Sequence, residues 1–277
     1  MRQMIFNASL AGLCLLGSAA VYAEASLQAD LAPILAGQHR SDANKARDQY
    51  RHPVQTLDFF GVRPNHTVIE ITPGGGWYTE VLAPLLNGRG QYIAAIVSNE
   101  GLSGKAVPGN TKRNAAFKEK LAANPAQYMK AQVVEYVAAK PKLGPEGSAD
   151  VVLTFRNVHN WSGNGSVDAM FAAMFAVLKP GGTLGVVDHR AKADADFKAA
   201  LEKGYLSEQF VIEKAQKAGF TLAGKSEVNA NPKDTKDYAE GVWTLPPVLA
   251  LDQKDRAKYL AIGESDRFTL RFVKPAK

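Results

Sequence analysis

The chain has 277 residues, 46% of them hydrophobic and 22% charged, with a formal net charge of +6. That is an ordinary globular balance, able to bury a full core. The positive surplus is mild and scattered, which argues for a solvated surface and against a nucleic-acid groove, and no run beyond the first residues approaches membrane-spanning length.

The chain opens MRQMIFNASLAGLCLLGSAAVYA, with one positive charge at Arg2, a short apolar core and small residues before Ala23. This predicts a secretory signal peptide over 1–23, cut after Ala23 and too short to anchor in a bilayer. The mature protein is then expected in the periplasm or outside the cell, with no membrane insertion after cleavage. The only cysteine, Cys14, falls inside that segment, so no disulfide and no Cys-ligated metal is expected.

Residues 24–61 read as a helical N-terminal extension. LQADLAPILAG and SDANKARDQY are short helices, the second capped by Ser41, and a further helix starts at Pro53 and ends at Gly61. The extension is either a cover over the glycine turn that follows or plain packing. Arg47, Asp48, Arg51 and His52 read as a solvated, ion-paired face.

The main domain, 62–277, begins with TVIEITPGGGWYTEVL. A β-branched run (Val68, Ile69, Ile71) stops at Pro73, three glycines follow, and a helical segment starts at once. Glycines at such a corner let a ligand approach the backbone, and the helix behind them offers free N–H groups, so the turn is a candidate cofactor cradle. Trp77 and Tyr78 just beyond it either stack on a bound ring or pack the helix on the sheet.

The helix closes at Gly88 and QYIAAIV is a second buried strand. A polar stretch then carries an exposed helix at TKRNAAFKEKLAA. QVVEYVA and DVVLTF are further strands, SVDAMFAAMFAVL is a helix ending at Lys179-Pro180-Gly181-Gly182, and TLGVVDH is the fifth strand. Helices follow in DADFKAALEKG and SEQFVIEKAQKAG. The late strands FTLAGKSEV and RFTLRFVK bracket an irregular region from Asn229 to Glu264. Alternating strands and helices predict a parallel sheet covered on both faces, with an antiparallel edge from the two late strands.

Two motif matches fail on context. Gly219 to Ser226 fits G-x-x-x-x-G-K-[ST], but a helix precedes it and strand formers fill it, the reverse of a phosphate loop. Gly74-Gly75-Gly76 lacks the third glycine of a dinucleotide fingerprint, which would fall on Thr79, and lacks its acidic residue near Ala95.

Taken in order, VIEITPGGG, ADVVLTFRNVHNW, LKPGGTLGVVDH and the FTLAGKSEV/FTLRFVK pair resemble the class I S-adenosylmethionine-dependent methyltransferases over roughly Val62 to Pro275. WYTEVLAP, TFRNVHNW, VVDHR and IGESDR are similar to a group of exported bacterial predicted methyltransferases. The resemblance implies a Rossmann-like α/β fold, with seven mostly parallel strands sandwiched by helices and a terminal antiparallel pair. It implies S-adenosylmethionine as cofactor, with Glu70, Thr72, Gly74, Gly75, Gly76 and Asn157 on the cofactor side. Two departures stand out: Thr72 occupies the family's first glycine position, and Ala94, Ala95 and Ile96 stand where a ribose-binding carboxylate is usual, with Glu100 a loop substitute.

On the acceptor side, Asn157, His159 and Asn160 follow strand four and Asp188, His189 and Arg190 follow strand five, ends that should share the crevice of the glycine turn. Methyl transfer needs alignment and, for an acceptor carrying a proton, a base. His159 or His189 is that base with Asp188 orienting it, or each is a hydrogen-bonded structural residue. No H-x-x-x-H spacing supports a metal, and none is expected. Glu264, Asp266 and Arg267 read as an ion-paired brace away from the acceptor pocket. The function expected is methyl transfer to a small-molecule acceptor, with no nucleic-acid partner; the alternative is an exported binding protein that keeps the fold and has lost the donor.

Overall fold

A computed structural model describes residues 27–276. The signal-peptide reading of 1–23 therefore lies outside the described residues.

A helix over 27–36 (α1) and the short helices Asp42–Lys45 (α2), Asp48–Arg51 (α3) and Pro53–Phe59 (α4) form the N-terminal extension. Ser41 caps α2 by accepting the Asn44 N–H. The stretch expected as one helix is divided into α2 and α3. Another break falls at His52, whose φ of +41° separates α3 from α4 just where Pro53 disfavours a continuing helix.

The sheet follows: β1 (Thr67–Ile71), β2 (Gln91–Val97), β3 (Gln132–Tyr136), β4 (Ala149–Phe155), β5 (Leu178–His189), β6 (Thr221–Ser226) and β7 (Arg267–Val273). Its order is β3-β2-β1-β4-β5-β7-β6. All pairings are parallel except those of β7, which runs antiparallel to both β5 and β6. The seven-stranded Rossmann-like sandwich is thus observed. The remaining helices are α5 (Thr79–Leu86), α6 (Ala106–Ala123), α7 (Pro125–Tyr128), α8 (Val158–Gly163), α9 (Val167–Val177), α10 (Phe197–Glu202), α11 (Glu208–Lys217) and α12 (Arg256–Ile262).

Each sheet face carries its own apolar core, which is why β1 reads as a continuous β-branched run and not as an alternating one. Ile69, Met170, Phe171, Leu184 and Phe268 belong to one core. Val68, Leu82, Leu85, Leu153 and Phe117 belong to the other, and Leu27, Leu31, Leu57 and Phe60 of the extension are fully buried in it. Gly185 lets this happen: a Cβ there would lie 2.6 Å from the Phe60 ring. The extension is therefore part of the core.

The region from Asn229 to Glu264 departs from expectation. It contains α12 and a small apolar cluster of Tyr238, Leu245 and Tyr259, because its scattered aromatic and aliphatic residues bury one another. Within the Gly219–Ser226 stretch, Thr221–Ser226 forms β6 behind α11, so no phosphate loop exists there.

Candidate functional site

The strand order reverses between β2-β1 and β1-β4, and ligands bind open parallel sheets at such a point, beyond the carboxyl ends of the strands. The chain leaves β1 through Thr72, Gly74 and Gly76, with φ of +48°, +60° and +75°. Glycine is the natural residue at all three. Thr72 is a β-branched exception held by a 2.8 Å hydrogen bond between its hydroxyl and that of Tyr136, at a strain of about 1–3 kcal/mol.

A cavity of about 200 Å³ opens here, with Glu70, Thr72, Gly74, Gly75 and Asn157 on its wall, five of the six residues expected on the cofactor side. Asn157 ties β4 to β1 by donating its side-chain N–H to the Ile71 carbonyl at 2.9 Å. Glu70 is buried and accepts from Tyr92 at 2.6 Å and Thr79 at 2.9 Å. Burial pushes its carboxyl up to about 7 against these hydrogen bonds and the Arg51 charge. Gly76 is not on the cavity wall; a Cβ there would meet Phe117 and Lys120 of α6 at 3.3 Å, so helix packing and the left-handed turn both favour glycine. Gly74 has open space before it.

Trp77 and Tyr78 are both buried. Tyr78 stacks on Phe155 at 3.5 Å, and Trp77 donates to the Asn44 carbonyl at 2.9 Å. Glu100 is exposed and is not on the wall of this cavity. A recess of about 60 Å³ behind Gly74 lies at the end of β2, walled in part by Asn110 and Asn114, both of which donate to the Val97 carbonyl.

The basic face of the extension is not solvated as expected. Arg51 is buried, donates to Glu264 at 3.0 Å and lies over the Trp77 ring at 4.8 Å. Arg47 reaches the same carboxylate at 2.7 Å, while Asp48 pairs with Arg40 at 2.6 Å. Local polarity could not reveal this, because Glu264 arrives from more than two hundred residues away. Burial would raise the Glu264 carboxyl, yet Arg267, Arg51, Arg47 and Arg156 outweigh it and hold it at about 2. The brace read from Glu264 and Arg267 is therefore real.

Its separation from the acceptor side is not. In the β5–β7 register His189 faces Arg267 and Asp188 faces Phe268, so the two corners are one place. Asp188 is fully buried; its carboxylate accepts from His159 Nδ1 at 2.8 Å, from the His189 backbone at 2.8 Å and from the His159 backbone at 3.2 Å. Asp188 therefore orients His159, not His189. Burial acts to raise Asp188, but His159 and His189 hold it below the usual carboxylate range. His189 instead meets Ser265 Oγ at 2.6 Å, and burial drives its imidazole well below its ordinary value. Arg190 turns away to Glu208 and Glu227.

His159, Asp188 and His189 offer ligand atoms within 4.8 Å of one another, a grouping that spacing within one segment could not show because it joins two strand ends. His159 and His189 line a second cavity, of about 220 Å³, together with Trp243, Ser265 and Arg156. Arg156 lies on the walls of both cavities. Motif reading missed Arg156, Ser265 and Trp243; Arg156 stood within the TFRNVHNW segment, but nothing there marked its side chain.

No protein-family model matches the chain, and no curated protein does. Solved structures share the Rossmann-like methyltransferase fold. An S-adenosylmethionine-dependent methyltransferase from Aquifex aeolicus aligns over 83% of this chain and 93% of its own, with a TM-score of 0.54 at 17% identity. The (4+2)-cyclase SpnF aligns over 93% and 94%, with a TM-score of 0.58 at 14% identity. The glycopeptide N-methyltransferase MtfA aligns over 85% and 100%, with a TM-score of 0.51 at 14% identity. At these identities the shared property is the fold, and with a cyclase among the matches the reaction must be argued from the site.

Proposed function

We propose that the protein is an S-adenosylmethionine-dependent methyltransferase acting on a small-molecule acceptor. One observation carries this: Glu70, Thr72, Gly74, Gly75 and Asn157 share a cavity at the switch point, and Arg156 also lines a second cavity, on whose wall stands His159, held from behind by the buried Asp188. The residues fit the donor's amino-acid end, since the bare backbone at Gly74 and Gly75 admits close approach and Arg47 and Arg51 each retain an unpartnered Nη2 among the described residues. When bound, the donor supplies an electrophilic methyl group on a positively charged sulfur.

The chain's own groups do the rest. Asp188, an acceptor-only carboxylate, fixes the proton of His159 on Nδ1 and leaves Nε2 as the lone pair able to take the acceptor's proton. The buried carboxylate then stabilises the imidazolium that forms. His189 is a neutral ring held by Ser265, suited to shaping the cavity wall.

The same reading includes membership of the exported group that the sequence resembles, and export of the mature chain. The deciding test is a calorimetric titration of the mature protein with S-adenosylmethionine and S-adenosylhomocysteine, in which both bind. Absence of binding by either at millimolar ligand would overturn the proposal.

A further inference from the structure

Arg156, on the walls of both cavities, stands apart from the other arginines of the site. Among the described residues its guanidinium makes no hydrogen bond and no ion pair with the protein, although it has five N–H donors to satisfy. Its neighbour Arg267 shows the contrast, donating to Glu264, to the Ser265 carbonyl and to the Tyr50 carbonyl. Arg156 also stands at φ +62°, a left-handed position, while its backbone N–H is fixed to the Val187 carbonyl at 2.7 Å. Such strain persists only where the surroundings impose it, and it concentrates at binding sites.

The local charge does not balance. Glu264 is ion-paired with Arg47, Arg51 and Arg267, and Asp188 is committed to His159, so both carboxylates act on Arg156 through space but neither contacts its guanidinium. A bound sulfonium would add to the positive excess. The same excess weighs against a metal cation on His159, Asp188 and His189, because Arg156 and Arg267 act on His189 as neighbouring positive charges. The second cavity pairs this cation with an apolar side: Val242, Trp243, Pro246, Pro247 and Val248 line it, and Trp243 and Val248 are exposed. The Trp243 ring stands edge-on to His159 at 6.4 Å.

We infer that the methyl acceptor is a small organic acid, an apolar or aromatic body carrying a carboxylate, whose anionic group docks on the guanidinium of Arg156, which lines both cavities. This rests on the methyltransferase reading for the word acceptor, and on the cavity alone for the anion. The body lies against Trp243 and the proline pair, and a planar guanidinium suits a planar carboxylate through two parallel N–H bonds. A donor carboxylate is the other source of the same chemistry, so the test must separate the two.

The test titrates the full mature chain calorimetrically with benzoate and phenylacetate, each against its neutral amide, with and without saturating S-adenosylhomocysteine. The acids are expected to bind about ten- to hundredfold more tightly than the amides, as a charge-assisted hydrogen bond predicts, with or without the nucleoside. Arg156→Asn, chosen because asparagine tolerates positive φ, should abolish that preference while leaving the folded state, read by circular dichroism, intact. Equal binding of acid and amide by the wild type, including no measurable binding of either, overturns the inference without recourse to a variant. Displacement of the acids by S-adenosylhomocysteine also overturns it, placing the anion in the donor's position. Failure of S-adenosylhomocysteine to bind while the acids keep their preference would sink the methyltransferase reading and leave the anion site standing.

Discussion

Glu264 holds three guanidiniums together, and its removal should show what a buried carboxylate contributes in such company. Glu264→Gln leaves Arg47, Arg51 and Arg267 without their shared counter-ion, and unfolding in urea should register a loss of about 3–5 kcal/mol at neutral pH. The pH dependence follows from the direction of the shift. A carboxyl held at about 2 when folded, against 4.5 as the ordinary value, stabilises the fold above pH 4.5 and loses that contribution as pH falls from 4.5 towards 2. Wild type should therefore show a steeper acid limb than the variant, which keeps only the part due to other depressed carboxylates such as Asp188. Asp188 acts on chemistry through another residue. Asp188→Asn lets the His159 proton move to the wrong nitrogen, and turnover should fall by roughly a hundredfold or more with S-adenosylhomocysteine affinity unchanged. Equal loss of affinity and turnover would make Asp188 a merely structural residue.

At the scale of elements, the glycine turn separates two demands that look alike in sequence. Gly76 faces α6, so Gly76→Val should lower the melting temperature through its φ of +75° and its clash with Phe117. Gly74 faces open cavity, so Gly74→Val should remove donor binding, at a backbone cost of about 1–2 kcal/mol for the left-handed position. Paired melting and titration curves decide between them; a Gly74 variant with normal donor affinity would show that the cradle lies elsewhere. The extension shows the same coupling between neighbouring elements. Its helices are too short to stand alone, and they are fixed by what they cover: Asn44 and Arg40 meet Glu80 of α5, and Arg51 lies against Trp77.

For the whole molecule, the buried Leu27 and Leu31 set a limit on processing. A cut after Ala23 keeps α1, and any cut beyond Leu31 would strip large apolar side chains from one core. Mass spectrometry of protein from the native host should find an N-terminus near Glu24, and intact Met1 in a cytoplasmic fraction would refute export. What the sequence determined by itself was the succession of strands and helices and the place of the switch-point turn. Those rest on local patterns: β-branched runs such as VVLTF, glycine and proline punctuation at Pro73–Gly76 and Lys179–Gly182, and helices between them. The pairing of β7 with β5, the burial of Arg47 and Arg51, the partnership of Asp188 with His159 and the union of the two acidic corners were decided only by the tertiary structure. Each joins residues far apart in the chain, and a side chain's solvent exposure, charge partner and proton position depend on what packs against it from elsewhere. The polar residues of a short helix look alike in sequence whether water or a distant glutamate faces them.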